Sequence, residues 1–123
     1  MTNLNPGFRN AFQREQLGCL QPFNAGNSGA APVPDCQNGE SQVFTLTAAA
    51  TVGAPLSAAP IGFKLFLEFV QDATAGRAVT WNAIYRNAPA IGGGSATAGQ
   101  RASTEWRWDG VSWQFVGGST AFA

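Results

Sequence analysis

The sequence contains no histidine, and only 11% of its 123 residues are charged, with seven Lys and Arg balanced by seven Asp and Glu. A chain without histidine lacks the one side chain whose ordinary titration falls near neutral pH, so acid–base work would rest on carboxylates alone. Nucleic-acid binding needs clustered Lys and Arg to neutralise phosphates, and no such cluster occurs. No apolar run approaches the roughly 20 residues that a membrane-spanning helix requires. The opening MTNLNPGFRNAF has neither a basic cluster nor an apolar core, which argues against a secretory signal.

Cysteine is scarce as well. Cys19 and Cys36 are the two present, and two cysteines without histidine cannot supply a four-ligand zinc site from one chain. They could close a disulfide loop worth about 3 kcal/mol in the chain-entropy account. A protein made inside a cell normally keeps its thiols reduced, so two free thiols are the expected state. No cofactor is implied.

What is present is strand-like alternation. In Lys64 to Val70, KLFLEFV, residues Leu65, Leu67 and Phe69 share one face, and Lys64 and Glu68 the other; Phe66 and Val70 add apolar groups to that polar face. In the following run Val79, Trp81, Ala83 and Tyr85 alternate with Thr80, Asn82 and Arg86. The polar stretch Gln71 to Gly76 between the runs predicts a hairpin over Lys64–Tyr85. Upstream, SQVFTLTAAATV places Phe44, Leu46 and Ala48 on one face and predicts the first strand of the body. Downstream, ASTEWRWDGVSWQFV predicts a closing hairpin around Asp109-Gly110. Its register is open: Trp113 would face Trp106 across a tight turn, or Trp108 across a longer loop. Either places the aromatics on one face, with Glu105, Arg107 and Asp109 opposite.

Residues 1–40 differ in composition. Pro6, Pro22, Pro32 and Pro34 fix the backbone and remove donors, so neither a long helix nor a central strand can pass through. The reading is an irregular, Pro/Gly/Asn-rich N-terminal arm (1–40) before a β-rich body domain (41–123). Phe8, Phe12, Leu17, Leu20 and Phe23 are the expected anchors of that arm. Either Asn10 to Leu17 forms a short helix packed on the body, or the arm lies on a neighbouring subunit or a shell.

The run QDATAGRAVTW, preceded by KLFLEFV and followed by the Trp-Asp-Gly-x-x-Trp hairpin, resembles a β-structured module of tailed-bacteriophage virion proteins, found in tail fibres and capsid-associated proteins. The resemblance covers about Phe44 to Phe115. It places Gln71, Asp72, Gly76 and Arg77 in the motif turn. The chain departs from the module's pattern at Ala75, where glycine is usual, and at Asn82, where proline is usual.

The expected fold is therefore all-β, a small sandwich or barrel-like antiparallel domain. The expected function is that of a structural virion protein, first of all a capsid decoration or cement protein binding the major capsid protein as a homotrimer. The alternatives are a short tail fibre or receptor-binding module that recognises host-surface glycan, and a head–tail or tail adaptor.

Candidate sites follow from the aromatics. Tryptophan faces stack on sugar rings, yet Trp81, Trp106, Trp113 and Phe115 lie on the apolar phase of their strands and read as body core or subunit interface, each tryptophan burying about 150–250 Å². Trp108, beside the turn, is the candidate for an exposed ligand contact. The glycine-rich stretch Gly92-Gly93-Gly94 lacks the Gly-Lys-Ser/Thr and strand-to-helix context of a phosphate loop and reads as a surface loop. Asp72, Glu68, Glu105 and Asp109 are the carboxylates available for catalysis, and no nucleophile with a base partner is identifiable from spacing, so the chain is expected not to be an enzyme.

Overall fold

A computed structural model describes residues 22–123. The described residues form β1 (Phe23–Asn27), β2 (Ser41–Leu46), β3 (Ala50–Val52), β4 (Lys64–Gln71), β5 (Val79–Trp81), β6 (Tyr85–Arg86), β7 (Arg101–Trp108) and β8 (Trp113–Gly118), with one 3-10 turn at Cys36–Asn38. Six strands make a sheet in the order β1-β2-β4-β7-β8-β6, and β3 and β5 form a separate pair. The all-β class expected from the alternation holds. The sheet is mixed, however: β4–β7 and β7–β8 are antiparallel, while β1–β2, β2–β4 and β6–β8 are parallel.

The alternation fixes the inward face. Gln42, Phe44 and Leu46 of β2, Leu65, Leu67, Phe69 and Gln71 of β4, and Ala102, Thr104 and Trp106 of β7 are all buried. The β3–β5 pair packs on this face and closes a two-layer core, with Val52 and Val79 fully buried and Trp81 of β5 edge-on to Phe69 at 5.7 Å between ring centroids.

The expected hairpin over Lys64–Tyr85 does not form. β4 pairs with β2 and β7, and β5 pairs with β3. Period-two alternation decides which face a strand buries, and it carries no information on which strand lies alongside. The second run also breaks: Asn82 Oδ1 accepts from Ile84 N–H and Asn82 C=O from Tyr85 N–H, a turn that splits it into β5 and β6 and leaves Ala83 exposed. The run Ser41–Val52 is likewise two strands, because the chain crosses from the large sheet to the small one at Thr47–Ala49.

Of the expected arm, Phe8, Phe12, Leu17, Leu20 and Cys19 lie outside the described residues, whereas Phe23 opens β1 at the edge of the large sheet. The prolines run beside β3. The carbonyls of Ala30, Pro32 and Pro34 accept from Thr51, Gly53 and Leu56 N–H, a ladder in which the two prolines contribute only the groups they possess. Buried Gln42 holds the next segment, its amide nitrogen donating to the carbonyls of Asp35 and Gly39 and its oxygen accepting from Asp35 N–H. Cys36 is buried and free; burial, and then the neighbouring Asp35 charge, push its thiol pKa up.

The motif turn closes on itself rather than joining paired strands. Gln71, 2% exposed, donates to Arg77 C=O at 2.7 Å and accepts from Arg77 N–H at 3.0 Å. Asp72 accepts from Ala75 N–H at 2.9 Å and pairs with the Arg77 guanidinium at 3.3 Å. Ala75 takes a left-handed φ of 61° and Gly76 one of 74°, so the alanine adopts a conformation that glycine adopts without steric cost. The backbone hydrogen bond from Ala75 and the Arg77 contact hold the Asp72 carboxyl below its usual range. Gln71→Ala leaves two backbone groups of Arg77 without their partner and is expected to destabilise the body by about 1–3 kcal/mol. Arg77→Ala removes a partly solvated ion pair and is expected to lower the melting temperature much less. Thermal melts of the two variants check the order.

Candidate functional site

The tryptophans divide into two groups. Trp106 is fully buried and lies 4.7 Å from Trp81, 4.9 Å from Tyr85 and 5.3 Å from Phe115, centroid to centroid. The donors of this group are satisfied internally: Trp106 Nε1 donates to Thr104 Oγ1, Trp81 Nε1 to Pro89 C=O and the Tyr85 hydroxyl to Gly53 C=O. Burial pushes the Tyr85 phenol pKa well up. Trp81 and Phe115 are half-buried. This cluster joins the two layers and leaves no donor of Trp81, Trp106 or Tyr85 for a ligand.

Trp108 and Trp113 form the second group. They face each other directly across β7 and β8, the longer-loop register, with centroids 5.1 Å apart and planes at 43°. Trp113 is 3% exposed and is also edge-on to Phe63 at 6.3 Å; Trp108 is half-buried. Together with Pro55, Ser57, Ala58, Ala59 and Ile84 they line an open pocket of about 140 Å³ at one end of the body. Three separated pieces of chain build it: the loop after β3, the turn between β5 and β6, and the closing hairpin. Ile61 and Val111, each 76% exposed, stand on the loops at the same end, where Ile61 lies against Gly110.

The hairpin turn that carries Trp108 is rigid. Asp109 Oδ1 accepts from the N–H groups of Val111 at 2.8 Å and Ser112 at 2.7 Å, and Oδ2 from the Ser112 hydroxyl and the Gln114 amide. The backbone bonds from Ser112 and Val111 take the Asp109 pKa from 3.8 down to about 2. A depressed folded-state pKa contributes stability that is present above the unfolded value and lost as pH falls through the folded one. Stability is therefore expected to fall between about pH 4 and pH 2, and Asp109→Asn to flatten that part of the profile; melting temperatures taken across this range test it.

A larger groove of about 570 Å³ lies on the outward face of the sheet, lined by Pro22, Phe66, Glu68, Ser103, Glu105 and Gly117 among others. Glu68 there is paired with Arg101 and accepts from the Ser103 hydroxyl. Among the described residues no cluster of three or more His, Cys, Asp or Glu could hold a metal ion, and no helix is long and apolar enough to cross a membrane. The four carboxylates considered for catalysis do not converge: Asp72 serves the motif turn, Asp109 the closing turn, and Glu68 and Glu105 the outward face. The glycine-rich loop packs inward at its centre, where Gly93 is buried against the Arg77–Ala78 backbone.

Comparison with known proteins decides the family. Residues 32–100 match the family described as "Putative phage tail fibre C-terminal domain". The chain belongs to this family. The match covers more than half of the sequence, from the proline ladder through β2 to β6 and the glycine-rich loop. It makes the protein a structural component of a tailed-phage virion. No curated protein and no solved structure matches the chain. The residues that line the pocket from the loop after β3, Pro55, Ser57, Ala58 and Ala59, together with Ile84, carried no signal in the sequence, because only the fold brings them to Trp108.

Proposed function

We propose that this chain is a tail-fibre component, a terminal body module that faces the host surface, rather than a decoration of the capsid shell. The observation that carries the reading is the match of residues 32–100 to a tail-fibre C-terminal domain. A rigid body suits the task, since its two layers are joined by buried aromatics and its turns are closed by side-chain hydrogen bonds. The role is binding and mechanical support, with no catalytic step and no cofactor. Self-association as a homotrimer remains part of the proposal, in keeping with a chain of zero net charge and few charged residues, a balance that favours association.

Immunogold labelling of purified virions, with copy number from quantitative mass spectrometry, tests the location. Label at the tail with a few to a few tens of copies is the expected result. Label over the head with hundreds of copies would return the reading to shell decoration and to contact with the major capsid protein. Sedimentation velocity of the purified protein reads the trimer directly.

A further inference from the structure

We propose that the groove on the outward face of the large sheet is the seat of the chain's own residues 1–21. This goes beyond the tail-fibre reading and does not depend on it, since the family match begins at residue 32 and ends before β7 and β8.

The groove follows one row of residues across the strands. Pro22 stands one residue before the Phe23–Gln42 pair and so is level with Ser41. Ser41 is opposite Phe66, Phe66 opposite Glu105, and Glu105 opposite Gly117. All five residues line the groove of about 570 Å³. The chain therefore enters the described fold at one end of the row, and the residues before Pro22 start where the groove starts. Four strand intervals of about 4.8 Å make the row about 19 Å long. Residues 1–21 would reach about 30 Å if wholly helical and further if extended, so the segment is long enough to cross it.

The face has the chemistry of a covered one. A strand face turned to water normally carries polar residues, yet Val43, Phe66 and Val70 lie on this face, half-buried. Glu105 is half-buried too. The ion pairs among the described residues are Arg77–Asp72 and Arg101–Glu68, and Glu105 is in neither, although Arg107 stands two residues along the same strand. A carboxylate partly withdrawn from water calls for a cation. Beside it, Gly117 has open space where a side chain would stand, which leaves room for one to be laid in. Residues 1–21 bring the matching groups: Phe8, Phe12, Leu17 and Leu20 for the apolar row, and Arg9 and Arg14, against a single Glu15, for the carboxylate. Because the segment is joined to the row at Pro22, its local concentration there is on the order of millimolar, and any other peptide would have to displace it.

The test uses the full chain with a nitroxide on Asn10→Cys in a Cys19→Ser background, where the remaining thiol, Cys36, is buried. Backbone amide signals of the ¹⁵N-labelled protein are the readout. Phe66, Glu105 and Gly117 are expected to lose most of their intensity, and Thr51 and Thr80, on the exposed side of the second layer, the least. Gly117→Trp, which fills the open space, and Glu105→Arg, which reverses the charge without filling it, are each expected to restore the signals on the outward face. With the nitroxide on unlabelled chains mixed with ¹⁵N-labelled ones, the same signals are expected to stay intact. Losses in the mixed sample would seat the segment on a second copy and overturn the proposal. No preferential loss along the row, or losses undiminished in either variant, would overturn it as well.

Discussion

Trp106→Ala is expected to cost the body about 3–5 kcal/mol, the range for removing a large buried aromatic. Its indole is fully buried and touches Trp81, Tyr85 and Phe115, and so reaches β5, β6 and β8 from the middle of β7. The change leaves a cavity between the two layers and removes the N–H that donates to Thr104 Oγ1, which keeps its own bond to Leu67 C=O. For a domain of this size a loss of 3 kcal/mol lowers the melting temperature by roughly 12–24 °C, and a loss of 5 kcal/mol equals the whole stability of the weaker natural domains. Val111→Ala is the control: at 76% exposure it is expected to change stability by less than about 0.5 kcal/mol. A Trp106→Ala protein that melts with the wild type would refute the placement of this residue at the junction of the layers.

Gly93→Ala is expected to destabilise by about 3 kcal/mol, the upper end of the usual cost of overpacking. A methyl group there would lie 2.3 Å from both the carbonyl carbon and the oxygen of Arg77 and 2.8 Å from Ala78 N. These are backbone atoms of the segment held by Gln71, so they cannot rotate away as a flexible side chain could. Its neighbours Gly92 and Gly94 have nothing within 4 Å of the corresponding position, and alanine at either is expected to be tolerated. Chemical denaturation of the three single variants separates a close-packing role at position 93 from a general need for a flexible loop.

The inward faces were legible because they need only local information. Leu65, Leu67 and Phe69 are buried where the alternation puts them, as are Phe44 and Leu46. Pairing was not legible, because the partners of β4 are set by β2 and β7, which lie far from it in sequence. The predicted hairpin failed for a concrete reason: Gln71, which reads as a turn residue, is buried and uses its amide to close the turn within one segment. Gln42 is a second polar residue at an inward position, and its value lies in backbone groups of Asp35 and Gly39 that no pattern links to it. At the pocket, Trp108 could be singled out from its place beside the turn. Trp113 reads as body core or subunit interface; it is buried, and its ring lies against that of Trp108. Ser57 left no trace, since a serine between Leu56 and Ala58 gives no hint of a left-handed backbone.

The position of β4 between a strand made before it and a strand made long after it has a consequence for synthesis. When Lys64–Gln71 leaves the ribosome, one of its edges can pair with β2, but the other waits for Arg101–Trp108. At about 5–20 residues per second that delay lasts on the order of seconds. During it the nascent chain carries an unpaired edge along a strand rich in Leu and Phe, the kind of edge that recruits a second chain. Crowded polysomes are therefore where this protein is most exposed to misassembly, and a chaperone that shields β4 until β7 emerges would act on yield while leaving the finished body unchanged.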